Sequence, residues 1–297
     1  MKRIVLALAL LLPALPVHGA LRVFACEPEW AALIRELAGD RAEVFSATTA
    51  QQDPHRIEAR PSLIAQLRRA DLLVCTGAEL EAGWLPMLLR RANNAKVQIG
   101  AAGHFEAAAH VELLEKPARA DRADGDVHAA GNPHLHLDPR NIARVARALS
   151  ARLAELDAAN AATYQARHDD FQQRWRRAIE RWEDSAAPLR GVPVVVAHRS
   201  WPYLLRWLGL EEVAALEPKP GVPPNSGHLA EVLALAQARR APMALYAAYQ
   251  DPRPARWLAE RSEVTAVELP FTVGGGGSAD LFELFELTVT RLLEARR

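Results

Sequence analysis

The sequence has little cysteine, no excess of charge of either sign, and no apolar run long enough to cross a bilayer. Cys26 and Cys75 are its two cysteines. Two thiols cannot build the paired quartets of a zinc ribbon or knuckle, and together they form at most one disulfide. Any metal this chain holds therefore rests mainly on histidine and carboxylate. Lysine plus arginine number 36 and aspartate plus glutamate 36, so no net positive field draws nucleic acid or an acidic membrane surface. What is present is 297 residues, 50% hydrophobic and 24% charged, enough to bury a large core and to divide into two domains.

The first residues carry an export signal. Lys2 and Arg3 form a basic start, Ile4 to Leu12 an apolar stretch, and Val17-His18-Gly19 offers small residues for cleavage. The expectation is a signal peptide over 1–19 and a mature chain from Ala20, with no direct membrane insertion. A lipid anchor would need Cys26, and Phe24 and Arg22 ahead of it break the small-apolar pattern such processing requires.

From Leu21 onward short apolar runs alternate with amphipathic segments, which predicts an α/β fold of parallel βα units. Strands are expected at Leu21 to Ala25, Glu43 to Ser46, Asp71 to Cys75 and Val97 to Ile99. After a polar loop over 115–132, Asp138-Pro139 supplies an N-cap and first-turn proline for a helix reaching about Leu156. A second helical segment, 158–187, has no proline or glycine up to Ala186 and would reach roughly 43 Å at 1.5 Å per residue. Strands resume at Val192 to Ala197, Val213 to Leu216, Met243 to Tyr246 and Val264 to Leu269, closed by a helix from about Ala279 to Ala295. The predicted organisation is an N-terminal lobe over 20–157, a linking helix over 158–187 and a C-terminal lobe over 188–297. A continuous linking helix resists bending, so the motion between lobes should be small.

Of ten histidines, three sit where loops of the two lobes converge. His55 follows the second strand, His134 precedes the Asp138-Pro139 helix, and His198 ends the run Val194-Val195-Val196-Ala197. Ligands of open α/β sheets bind at such carboxyl-terminal strand edges.

Across the mature chain the sequence resembles the zinc- and manganese-specific solute-binding proteins that feed ABC importers. The resemblance is carried by DPHRIEARPS (53–62), ADLLVCTGAELEAGWL (70–85), NPHLHLDPRN (132–141), GVPVVVAHRSWPYLLRWLGL (191–210) and EPKPG (217–221). It implies two lobes packed about a rigid backbone helix with the metal buried between them. It further implies His55, His134 and His198 as ligands, with Asp280 as the fourth. Three neutral imidazoles and one carboxylate suit Zn²⁺. Manganese-preferring members resemble this chain except for a glutamate in place of the third histidine, so His198 favours Zn²⁺ over Mn²⁺. The implied function is periplasmic capture of Zn²⁺, without turnover, by a monomer that delivers it to an ABC permease and its cytoplasmic ATPase.

Several residues admit two readings. The second motif usually carries aspartate before proline-histidine and tryptophan two places after the ligand; this chain has Asn132 and His136, and His136 is either a packed ring or a competing ligand. Asp280 is either the fourth ligand or a helix-start acid after an N-cap at Ser278. The run Gly274 to Gly277 is no phosphate loop, because no lysine follows it. His104, His110 and His128 are either solvated rings or transient metal captors. Glu58 and Arg60 are candidates to orient His55 or simply surface charges. Cys26 and Cys75 form either a disulfide or two small buried thiols. Trp201, Tyr203 and Trp207 read as core. A secreted metallohydrolase using His134-x-His136 and Asp280 is the rival function, and it lacks an H-E-x-x-H helix. A metal-binding adhesin of the same fold is a third reading.

Overall fold

The computed structural model describes residues 19–117 and 128–296. The expected signal peptide, apart from Gly19, and positions 118–127 of the polar loop lie outside the described residues.

Two four-stranded sheets form, each entirely parallel. The first contains β1 (Leu21–Ala25), β2 (Ala42–Ser46), β3 (Leu72–Cys75) and β4 (His104–Glu106), in the order β2-β1-β3-β4. The second contains β5 (Pro193–Val196), β6 (Glu211–Ala215), β7 (Met243–Ala247) and β8 (Thr265–Leu269), in the order β6-β5-β7-β8. Central strands are apolar throughout because helices cover both sheet faces: every residue of β3 and β7 is buried. The expected strand at Val97 to Ile99 does not form. Val97 ends a 3-10 turn and Ile99 is 81% exposed; β4 starts only after Gly103. A Cβ on Gly103 would stand 2.4 Å from the Asp71 carbonyl oxygen, so glycine alone lets the chain approach β3 there. With Phe105 its one buried residue, β4 offers almost no alternation to read.

Nine α-helices occur among the described residues: α1 (Pro28–Ala38), α2 (Pro61–Arg69), α3 (Leu85–Ala92), α4 (Pro139–Leu156), α5 (Ala161–Ser185), α6 (Pro202–Leu208), α7 (Ser226–Arg239), α8 (Arg253–Ala259) and α9 (Leu281–Ala295). Asp138 caps α4 as expected, accepting the Arg140 N–H at 2.9 Å. The linking helix begins later than expected. Residues Ala158–Asn160 are a 3-10 turn, drawn tight by the Asp157 carboxylate, which accepts from Asn160 Nδ2 and from the Tyr164 hydroxyl at 2.7 Å each. The 25 residues of α5 then span about 37 Å.

The α5 face that turns inward carries Tyr164, His168, Phe171, Trp175, Ala178 and Trp182, a 4-3-4-3-4 seam. Trp175 and Trp182 meet Phe285 of α9, and Trp182 also meets Trp207 of α6. Each indole N–H in this stack has an acceptor: Pro139 O for Trp175, Glu286 for Trp182 and Glu183 for Trp207. One hydrophobic cluster consequently runs from Val23, Trp30 and Leu149 through α5 to Val194, Leu245 and Phe285. The lobes share a core instead of meeting only through a linker.

Cys26 and Cys75 are joined in a disulfide across the carboxyl ends of neighbouring β1 and β3. Beside it lie two buried carboxyls. Glu81 accepts the Thr76 and Gly77 amides, and Glu27 accepts the Thr76 hydroxyl. Burial raises the Glu81 pKa from the ordinary 4.5 to about 7. A carboxyl with a raised folded pKa holds its proton more tightly when folded. Its contribution to stability is complete below pH 4.5 and is lost as pH climbs towards 7. Glu81→Gln keeps the amide acceptor and removes the charge, so the fall in urea midpoint between pH 4.5 and 7 should be smaller in the variant than in the parent. An equal fall in both would contradict this.

Candidate metal centre

His55 lies in the loop after β2. The Asp53 carboxylate accepts both the His55 backbone N–H, at 3.0 Å, and its ring Nδ1–H, at 2.8 Å. From below, Trp84 Nε1 donates to Pro54 O at 2.9 Å. A Cβ on Gly83 would stand 3.0 Å from the His55 carbonyl oxygen, so the small residue lets this loop settle onto the start of α3. His198 follows β5, and its Nδ1–H donates to Glu217 Oε2 at 2.6 Å. Glu217 is itself fixed by the Gly221 N–H at 2.8 Å. A carboxylate only accepts, so in both rings Nδ1 carries the proton and the Nε2 lone pair is left free. His55 Nε2 is buried and has no hydrogen-bond partner.

His134 is 1% exposed, and its backbone N–H is held by Asn132 Oδ1 at 3.0 Å. Asn132 in turn donates from Nδ2 to the Arg199 carbonyl at 2.9 Å, and its own carbonyl accepts from the Tyr203 hydroxyl at 2.7 Å. Aspartate in its place would have no N–H to offer the Arg199 carbonyl. Burial first, then the neighbouring rings of His55, His198, His136 and His128, hold the His134 pKa well below 6.5. The ring is a neutral donor at ordinary pH.

The three rings converge. The His55–His134 centroid distance is 5.3 Å, and His198 stands 6.3 Å from each. Imidazole nitrogens at about 2.0–2.1 Å from a tetrahedral zinc set ring centroids about 5.2 Å apart. The two rings of the first lobe already have that spacing; the ring of the second stands about 1 Å beyond it. His128 brings a fourth ring, 5.3 Å from His55. His55 and His198, with Asp53, Glu217, Tyr249 and Gln250, line a cleft of about 170 Å³.

The other candidates have partners of their own. Asp280, and not Ser278, is the N-cap of α9, accepting the Glu283 N–H at 2.9 Å. No hydrogen bond, ion pair or ring contact joins it to the three histidines among the described residues. His136 is a packed ring: Nε2 donates to Phe271 O at 2.9 Å and Nδ1 faces Glu29 at 3.3 Å. His104 pairs with Glu106 at 3.2 Å, and His110 stacks on Phe105 at 4.8 Å. Glu58 is exposed; Asp53 does the orienting that was open to Glu58. The sequence signal for Asp53 was its place two residues before His55, and for Glu217 its place in EPKPG. Nothing in the sequence set His128 apart from the other loop histidines.

Residues 23–295 match the family model described as zinc-uptake complex component A, periplasmic (ZnuA). The chain is 26% identical over 295 residues to the high-affinity zinc uptake system protein ZnuA of Paracoccus denitrificans, covering 88% of this chain and 86% of that one. It is 26% identical over 148 residues to the manganese ABC transporter substrate-binding lipoprotein scaA of Streptococcus gordonii, covering 49% and 44%. A crystal structure of ZnuA superposes with a TM-score of 0.79 at 22% identity, covering 94% of this chain and all of that one.

Carboxylates that orient ligating imidazoles are worth about 10–100-fold in metal affinity. Asp53→Asn and Glu217→Gln should each weaken Zn²⁺ binding by that factor in competition titrations against a chromophoric chelator. Unchanged affinity would mean that these carboxylates do not set the donor nitrogens.

Proposed function

Because this chain belongs to the zinc-uptake complex component A (ZnuA) family, we propose that it captures Zn²⁺ in the periplasm and delivers it to an ABC permease driven by a cytoplasmic ATPase. It is a substrate-binding protein of a metal ABC transporter and not an enzyme. The observation that carries the zinc reading is the convergence of His55, His134 and His198 from separate loops, with carboxylates on Nδ1 of two of them. Three neutral nitrogen donors favour Zn²⁺ over Mn²⁺, a harder ion that prefers oxygen.

Charge balance bears on the fourth donor. Burying a dication among neutral rings is costly unless negative charge lies close. Asp53 and Glu217 bring two such charges through the rings they hold. Burial works against the Asp53 carboxylate, yet the bonds it accepts from the His55 ring and backbone, with the Arg56 charge beside it, keep its pKa below the ordinary 3.8. With the ion already balanced, a neutral fourth donor suffices, and His128 stands beside His55 to supply it. Asp280, the acid implied by resemblance, is the alternative.

His55→Ala and His198→Ala should abolish tight Zn²⁺ binding in equilibrium dialysis at neutral pH, and Zn²⁺ should displace Mn²⁺ from the parent protein. Intact binding in either alanine variant, or Mn²⁺ held against Zn²⁺, would overturn the reading. His128→Ala should weaken binding more than Asp280→Asn; the reverse order assigns the fourth position to Asp280.

A further inference from the structure

Beneath the three rings, a polar group that the metal site does not use crosses from one lobe to the other. Glu29, on the first turn of α1, is 1% exposed, and His136, in the turn before α4, is 1% exposed. Thr272, which follows β8 in the second lobe, is 6% exposed. The Thr272 hydroxyl donates to Glu29 Oε2 at 2.5 Å, a contact between positions 243 residues apart. The other oxygen, Glu29 Oε1, lies 3.3 Å from His136 Nδ1, a packing contact in which Nδ1 makes no hydrogen bond. His136 Nε2 closes the group on the Phe271 carbonyl at 2.9 Å.

Burying a carboxylate is expensive unless its partners are well placed, and an apolar trio would hold two lobes together at lower cost. What an apolar contact does not provide is direction. A hydroxyl–carboxylate bond fixes the Phe271–Thr272 backbone relative to α1 to within a few tenths of an ångström, whereas hydrophobic surfaces slide. The fixed segment bears on the ligands. The Phe271 ring lies edge-on to His134 at 5.3 Å and to His136 at 5.0 Å. On the second-lobe side it meets Trp201, three residues after His198, at 5.8 Å, and Tyr249, which lines the cleft with His198, at 5.3 Å.

We propose that Glu29, His136 and Thr272 are positioning residues, forming a buried clamp that sets how closely His198 can approach His55 and His134 and thereby which divalent ion the three rings fit. The inference rests on the reading of those rings as metal ligands. His198 must travel about 1 Å to reach tetrahedral spacing, so the clamp holds the second lobe near the closed distance and leaves a short path. Loosening it adds freedom that a small tetrahedral ion must overcome on binding, and that a larger ion tolerates better.

The test compares the full-length mature protein with Thr272→Val, Thr272→Ser and Glu29→Leu. Zn²⁺ and Mn²⁺ affinities are measured by chelator competition, and the Co²⁺-loaded visible spectrum reports donor geometry. The expected result is one Zn²⁺ per chain throughout. Affinity should fall about tenfold or more in Thr272→Val and Glu29→Leu, with a narrower preference for Zn²⁺ over Mn²⁺ and an altered Co²⁺ spectrum; Thr272→Ser restores all three. Glu29→Leu leaves no acceptor for the Thr272 hydroxyl and serves if Thr272→Val does not fold. Parental affinities and an unchanged Co²⁺ spectrum in both variants, even with lowered melting temperatures, would overturn the clamp. Failure of the parent to bind Zn²⁺ would overturn the ligand reading beneath it.

Discussion

The site depends on where two protons sit. An imidazole can donate a lone pair to a metal only from its unprotonated nitrogen. In this chain the choice is made by carboxylates: Asp53 takes the Nδ1–H of His55 and Glu217 takes that of His198. Each carboxylate is itself fixed by backbone, Asp53 through the His55 N–H and Glu217 through the Gly221 N–H. Two loops on different sheets therefore hold lone-pair nitrogens aimed in advance, and the same carboxylates bring the negative charge that the proposed dication would need.

Pre-aimed donors are useful only if the lobes carrying them keep their distance. The aromatic seam of α5 merges both lobes into one core, and polar contacts cross between them near the three histidines, from Asn132 to Arg199 and from Glu29 to Thr272. Such an assembly has little room for the wide hinge closure of binding proteins with flexible crossovers. The gap of about 1 Å between the His198 ring and tetrahedral spacing is on the scale such a packed body can accommodate.

Much of this was legible in the sequence because it was written in strong local signals. The central strands are continuous apolar runs, several helices open with proline, and Asp138-Pro139 announces α4; these follow from backbone chemistry that operates within a few residues. The three histidines were legible because each lies in a loop that follows a strand or leads into a helix, near the edge where such folds bind ligands. What escaped depended on partners distant in the chain. The fourth strand is three residues long and owes its place to Gly103 passing over Asp71. The neighbour of His55 turned out to be His128, 73 positions away, and His136 found Glu29 and Phe271 in place of a metal.

Crystals of the zinc-loaded mature protein, measured at the zinc edge, test the central claim most directly. The account predicts a single anomalous peak about 2.0–2.1 Å from Nε2 of His55, Nε2 of His198 and one ring nitrogen of His134, with Asp53 and Glu217 still on the Nδ1 atoms. A zinc peak bound elsewhere, or one that reaches His55 and His134 while His198 stays out of reach, would contradict it.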